Sequence, residues 1–227
     1  MAPDEPIALS DAYYIKLGKG GRYEVSCIKE DQTLRLGYRE IPHKLCVRGQ
    51  WDAVLEELIH LRGSVGAAKR DVNQIRRFYE ADETVVWVTF YGDRLYWCFA
   101  RPQVTLLDDL TRIRHVIGQW CSTDVDGHPL EKGRLSGKLL SMQGFRGAIC
   151  SVKESEYLQQ KINGRLPEGV QKAQAALSRL EERIEALIRK LHWRDFEILV
   201  DLVLRQAGWQ RVSELGKRLK PLDLDLI

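Results

Sequence analysis

With 227 residues, 44% of them hydrophobic and 30% charged, the chain has room for two modest domains, each with its own core. No apolar run approaches the roughly 20 residues that cross a bilayer. The acidic start Met1-Ala2-Pro3-Asp4-Glu5 lacks the basic-then-apolar order of a secretory signal, so a cytoplasmic protein is expected. A formal net charge of +3 is too small to identify a nucleic-acid binder by bulk electrostatics. The five cysteines are dispersed, with no CxxC pair, which points to reduced thiols rather than zinc or a disulfide framework.

In chain order, residues 13–17 and 23–28 read as strands joined by Gly18-Lys19-Gly20-Gly21, a hairpin with a glycine turn. No Gly-Lys-Ser/Thr follows and no helix opens, so the phosphate-loop alternative is set aside. Trp51–Arg62 carries Val54, Leu55, Leu58, Ile59 and Leu61 at helical spacing and stops at Gly63; residues 65–81 read as a second helix bearing Lys69, Arg70, Arg76 and Arg77. Residues 84–91 and 94–99 flank Gly92-Asp93 as a hairpin whose register pairs Phe90 with Leu95, Val88 with Trp97 and Val86 with Phe99. That face is core. The opposite face sets Trp87, Thr89 and Tyr91 against Cys98, Tyr96 and Arg94. Either another layer covers it, or it is a stacking platform for a base.

Residues 113–150 read as loop-heavy β structure, including Trp120. Asp124-Val125-Asp126-Gly127 opens like a calcium loop, but the closing Glu is missing and a β-turn is the better reading. Between Glu131 and Glu154 the only charged residues are Lys132, Arg134, Lys138, Arg146 and Lys153. This basic stretch either contacts phosphates or is a solvated loop face.

From residue 166 the pattern changes. Val170, Ala173, Leu177, Leu180, Ile184, Leu187 and Leu191 alternate by three and four residues, the a/d seam of a long linker helix. The seam packs either within the chain or against a second copy, a homodimer through residues 170–191. Residues 192–206 form an amphipathic helix with Trp193, Phe196, Val200 and Val203 on one face and Gly208 as terminator. A strand from residue 209, a turn at Gly216-Lys217 and a strand over 222–226 follow. Asp223 and Asp225 share one face of that last strand. An acidic pair on a sheet suits a divalent-metal site, though exposed strand carboxylates are the plain alternative.

The order of a helix with Phe-Glu-x-Leu-Val, then Gly-Trp-x-Arg-Val, then a strand ending Asp-Leu-Asp-Leu resembles the opening of the Mrr-type catalytic domain of the PD-(D/E)xK nucleases. The resemblance implies a magnesium-dependent hydrolase that cuts DNA in a defence role. Glu197 takes the place of the first-helix glutamate, Asp223 that of the metal-binding aspartate, and Asp225 is the less favoured candidate. The Glu/Gln-x-Lys strand that follows in the family is not found before Ile227, so the chain alone is expected not to cleave DNA. More loosely, the N-terminal region resembles the recognition half of modification-dependent restriction enzymes, whose PUA-like, EVE or YTH-type barrels flip a base into an aromatic pocket. That implies roles in nucleic-acid binding for Trp87, Tyr91, Tyr96 and Trp120, with Arg134, Lys138 and Arg146 on phosphates.

The expected architecture is therefore α+β: a mixed β-barrel-like (PUA/EVE-like) recognition domain for modified DNA over 1–160, a helical linker over 166–191, and the start of an α/β restriction-endonuclease-like domain over 192–227. The alternatives are a stand-alone module that binds modified DNA or a nucleotide without nuclease activity, and an interaction protein that dimerises through the linker helix.

Overall fold

The computed structural model describes residues 6–165 and 168–209. The chain divides into two compact units, residues 1–166 and 167–227. Among the described residues no helix is long and apolar enough to cross a membrane.

The first unit is built on a mixed seven-stranded sheet that curls into a half-barrel. Its strands are β1 (Ala12–Ile15), β2 (Thr33–Leu36), β3 (Val86–Tyr91), β4 (Arg94–Ala100), β5 (Thr105–Leu106), β6 (Arg112–Cys121) and β7 (Ile149–Ser151), ordered β2-β6-β4-β3-β1-β7 with β5 also on β6. Only β1 and β3 run parallel; the other pairs are antiparallel. β6 makes the curl. Its first half pairs with β2 and β5, its second half with β4, so the ladder changes partners along one strand.

The β3–β4 hairpin has the register its alternation dictates: Phe90 lies opposite Leu95, Val88 opposite Trp97 and Val86 opposite Phe99. Both of its faces are interior. Val86, Val88, Phe90 and Leu95 pack with Leu139, Leu158 and Ile162, which come from α4 (Gly137–Leu140) and α5 (Ser155–Ile162). On the other side Trp87, Tyr96 and Cys98 pack with Phe78 of α3 (Val65–Glu80). A third cluster joins α3 to α1 (His43–Val47) and α2 (Trp51–Arg62) through Val54, Leu58, Val72 and Ile75. Ser64 caps α3, accepting a hydrogen bond from the Ala67 amide, the expected role of serine at a helix start. All five cysteines are free.

The hairpin expected over residues 13–28 does not form. After β1 the chain makes a 3-10 turn at Lys19–Gly21 and a π turn at Ser26–Glu30. Cys27 and Ile28 are buried against Leu34 and Trp120 in the core under β2, so apolar residues that alternate like a strand are spent on a short helical plug. Asp124–Gly127 is a turn, as its composition implies. The Asp124 carboxylate accepts from the Asp126 and His128 amides.

Two arginines on β6 lie fully inside. Arg114 donates from Nε to the Arg101 carbonyl and from its Nη atoms to those of Phe78, Ala81 and Ala100, with its guanidinium over the Trp87 ring. Burial lowers its pKa to about 10, so it stays charged at neutral pH. Arg112 donates to the carbonyls of Gly37, Tyr38, Leu110 and Ile41 and to the Tyr79 hydroxyl. At the edge of the same sheet Asp109 joins Arg35 to Arg39. The Thr111 hydroxyl and amide, then Arg35, hold the Asp109 carboxyl down at about 2.

The second unit contains α6 (Glu168–Ile188) and α7 (Trp193–Gln206), the latter capped by the His192 ring, which accepts from the Arg194 amide. Leu177, Leu180, Ile184 and Leu187 on α6 are exposed, as are Trp193, Phe196 and Val203 on α7.

Arg114→Met leaves the last carbonyls of α3 without a buried donor, and each orphaned acceptor costs about 1–3 kcal/mol. The expected result is a fall in urea midpoint equivalent to at least about 3 kcal/mol at unchanged slope; a loss under about 1 kcal/mol would refute the assignment. Asp109 gives a pH signature. Its folded value lies below the roughly 3.9 of an unfolded aspartate, so its contribution is present above about pH 4 and disappears as pH falls through about 2. Asp109→Asn is expected to flatten that part of the acid-denaturation curve.

Candidate nucleic-acid groove

Five segments of the first unit converge on one open groove: the loop after β1, the loop after β2, the end of α2, the outer face of α3 and the loop before β7. Two adjoining cavities of about 450 and 460 Å³ share Asp71, Arg146 and Gly147 in their walls. Each is within the size range of small-molecule pockets.

Local chemistry explains why these segments meet. A Cβ at Gly18, where φ is 84°, would lie 2.5 Å from Arg22 and 2.6 Å from Tyr23. The turn after β1 therefore requires glycine. A Cβ at Gly147 would lie 2.3 Å from Gln74 Oε1, which lets the β7 loop close onto α3. Gln74 is buried and its amide is used at both ends. Oε1 accepts from the Ala148 and Ile149 amides at 2.6 and 3.1 Å, and Nε2 donates to the Arg70 carbonyl at 3.1 Å. Lys16 Nζ donates to the Phe145 carbonyl from the facing side. Held at both flanks, the loop carries Arg146 outward.

The floor is a hydrogen-bonded hub. Asp71 Oδ1 accepts from Tyr38 Oη at 3.0 Å and Oδ2 from Arg62 Nε at 2.7 Å, while Arg62 Nη2 donates to Glu40 Oε1 at 2.9 Å. The bond to Asp71 raises the Arg62 pKa. Burial, then Asp71, pushes the Tyr38 phenol well above its usual range. Tyr38 is left-handed, with φ 56°, a conformation that costs a non-glycine residue about 1–3 kcal/mol and persists only under restraint. Arg112 supplies the restraint through the Gly37 and Tyr38 carbonyls.

Arg62 offsets one of the two floor charges, and three further cations outnumber the one left over, so the rim of the groove is net basic. Lys19, Arg70 and Arg146 line it and make no ion pair among the described residues. Such a concave surface with an excess of positive charge attracts polyanions.

The residues singled out by sequence are distributed differently. Trp87 is 0% exposed, Tyr96 and Trp120 are buried, and Tyr91 is half-buried. Tyr13 and Phe78 stand edge-on to Trp87, so no ring face is open to a base. Arg134 pairs with Glu131 and Lys138 with Glu154 on the exposed surface. Arg146 alone of that basic stretch lines the groove. Glu197 lies on α7 in the second unit. Asp223, the expected metal ligand, and Asp225 are outside the described residues, as are residues 210–227, so of the expected catalytic residues only Glu197 is described.

Sequence reading missed Tyr38, Glu40, Asp71 and Gln74. The available signal was Gln74 on α3, one residue before the core position Ile75 and inside the buried stripe. Asp124, Asp126 and His128 also place ligand atoms within 4.8 Å of one another, but the Asp124 carboxylate is engaged in capping its own turn.

No family model, no curated protein and no solved structure matches this chain.

Gln74→Ala removes the side-chain acceptor shared by the last amide of the loop, Ala148, and the first of β7, Ile149. Hydrogen exchange at Ala148 and Ile149 is expected to accelerate about fivefold to a hundredfold, as for one or two lost bonds, with the β3 amides unchanged. Equal acceleration across β3 would mean that the glutamine supports the whole sheet instead.

Proposed function

We propose that the first unit binds DNA in this groove, as the recognition part of a modification-dependent restriction endonuclease. The observation that carries the reading is three cations free of ion pairs among the described residues, Lys19, Arg70 and Arg146, lining a concave site in which Arg62 offsets one of the two carboxylate charges. Phosphate contacts supply sequence-independent affinity and fix the register of the nucleic acid. The open glycine-rich walls admit a backbone closely.

The cutting function rests on the Mrr-type resemblance of residues 192–227. It assigns Glu197, Asp223 and Asp225 to a magnesium-dependent hydrolytic site in a PD-(D/E)xK domain. The exposed seam of α6 favours a homodimer through residues 170–191, since an uncovered a/d stripe is a coiled-coil interface. A reader without nuclease activity is the second reading. It keeps the groove and discards the magnesium site.

Salt titration of DNA affinity tests the groove. Lys19→Ala, Arg70→Ala and Arg146→Ala are each expected to weaken binding to all sequences and to lower the slope of log affinity against log salt by about 0.9 per lost phosphate contact. Arg134→Ala and Lys138→Ala, whose charges are already paired, are expected to change it less. Unchanged slopes for the first three variants, or no measurable DNA binding by the wild type, would overturn the assignment.

A further inference from the structure

A groove that held only phosphates would gain nothing from acids, because each one subtracts from the attraction. This one has two in its floor. Asp71 is saturated from within: Tyr38, Arg62 and Gln74 all donate to it. Glu40 is different. One of its oxygens accepts from Arg62, and the other has no partner among the described residues. Arg62, fixed in turn by Asp71, therefore holds a carboxylate oxygen at the cavity wall as an acceptor.

The chemistry of such an oxygen is selective. A carboxylate only accepts hydrogen bonds when ionised. Cytosine and adenine present an exocyclic amino group that donates; uracil and thymine carry a carbonyl oxygen at the same place, which repels a carboxylate. The strained Tyr38 backbone, clamped by Arg112, shows that the fold bears a local cost to keep this floor in place.

We propose that Glu40, oriented by Arg62, reads the exocyclic amino group of a nucleobase lodged in the groove, so that the site selects amino-bearing bases over uracil and thymine. This inference rests on the DNA-binding reading above. Lys19, Arg70 and Arg146 hold the flanking phosphates, and Glu40 supplies the base contact, separating anchoring from reading.

The test compares labelled single strands of on the order of 12 nucleotides, all-deoxycytidine against all-deoxyuridine, with the full chain at pH 8. The two differ at C4, amino in cytosine and carbonyl in uracil, and at the adjacent N3, which accepts in cytosine and donates in uracil. Wild type is expected to prefer cytosine at least about fivefold, the lower end of base discrimination by a carboxylate or amide pair. Glu40→Gln, an exposed and isosteric change that also brings a donor, is expected to abolish that preference while leaving the salt slope intact. Equal binding of both strands with a normal salt slope would overturn base reading and leave DNA binding standing, as would a preference that survives Glu40→Gln. Failure to bind either strand would overturn both.

Discussion

Burial of the two β6 arginines is the constraint from which the rest of the first unit follows. Arg112 and Arg114 sit two residues apart on one strand, so both point to the same face, and both are almost wholly removed from water. Taking a guanidinium out of water costs several kcal/mol even after relaxation. Neither hydrogen-bonds a carboxylate among the described residues; both are offset by backbone carbonyls. The carbonyls of Phe78 and Ala81 close α3, where the helix end is negative and a cation is favoured. A planar fork with five donors can satisfy several carbonyls at once, which a lysine cannot.

The groove inherits this arrangement. Arg114 fixes one end of α3, and α3 carries Arg70, Asp71 and Gln74 toward the groove. Arg112 fixes the loop after β2, and that loop presents Tyr38 and Glu40. The core thus sets the separation of the two walls, and Arg62 then bridges them through Asp71 and Glu40. Glycines at 18 and 147 allow the remaining loops to approach without steric conflict. Cations at the rim and acceptors at the floor are a division that a solvated loop face has no reason to show.

The second unit has the opposite character. Its helices follow their periodicity, yet their apolar residues stay exposed on both α6 and α7. Uncovered apolar stripes mark interaction surfaces, and the proposed homodimer would cover the seam of α6. Glu197 sits on α7 among them, so the nuclease proposal draws on residues 192–227 and the DNA-binding proposal on the groove, each independently of the other.

The sequence by itself determined the elements whose signal is local. The β3–β4 register followed from alternation around Gly92-Asp93, α2 and α3 from apolar spacing and their terminators, and α6 and α7 from their three-and-four repeats. Composition also fixed the turn at Asp124–Gly127. Only the tertiary structure decided the rest. Whether Trp87 faced solvent or core depended on α3 lying across it, and residues 23–28 became a helical plug because the interior under β2 needed filling. The groove was invisible for the same reason. Glu40, Arg62, Asp71 and Gln74 lie on three separate segments, and nothing in the spacing of a linear chain records that a buried arginine on a distant strand will bring them together.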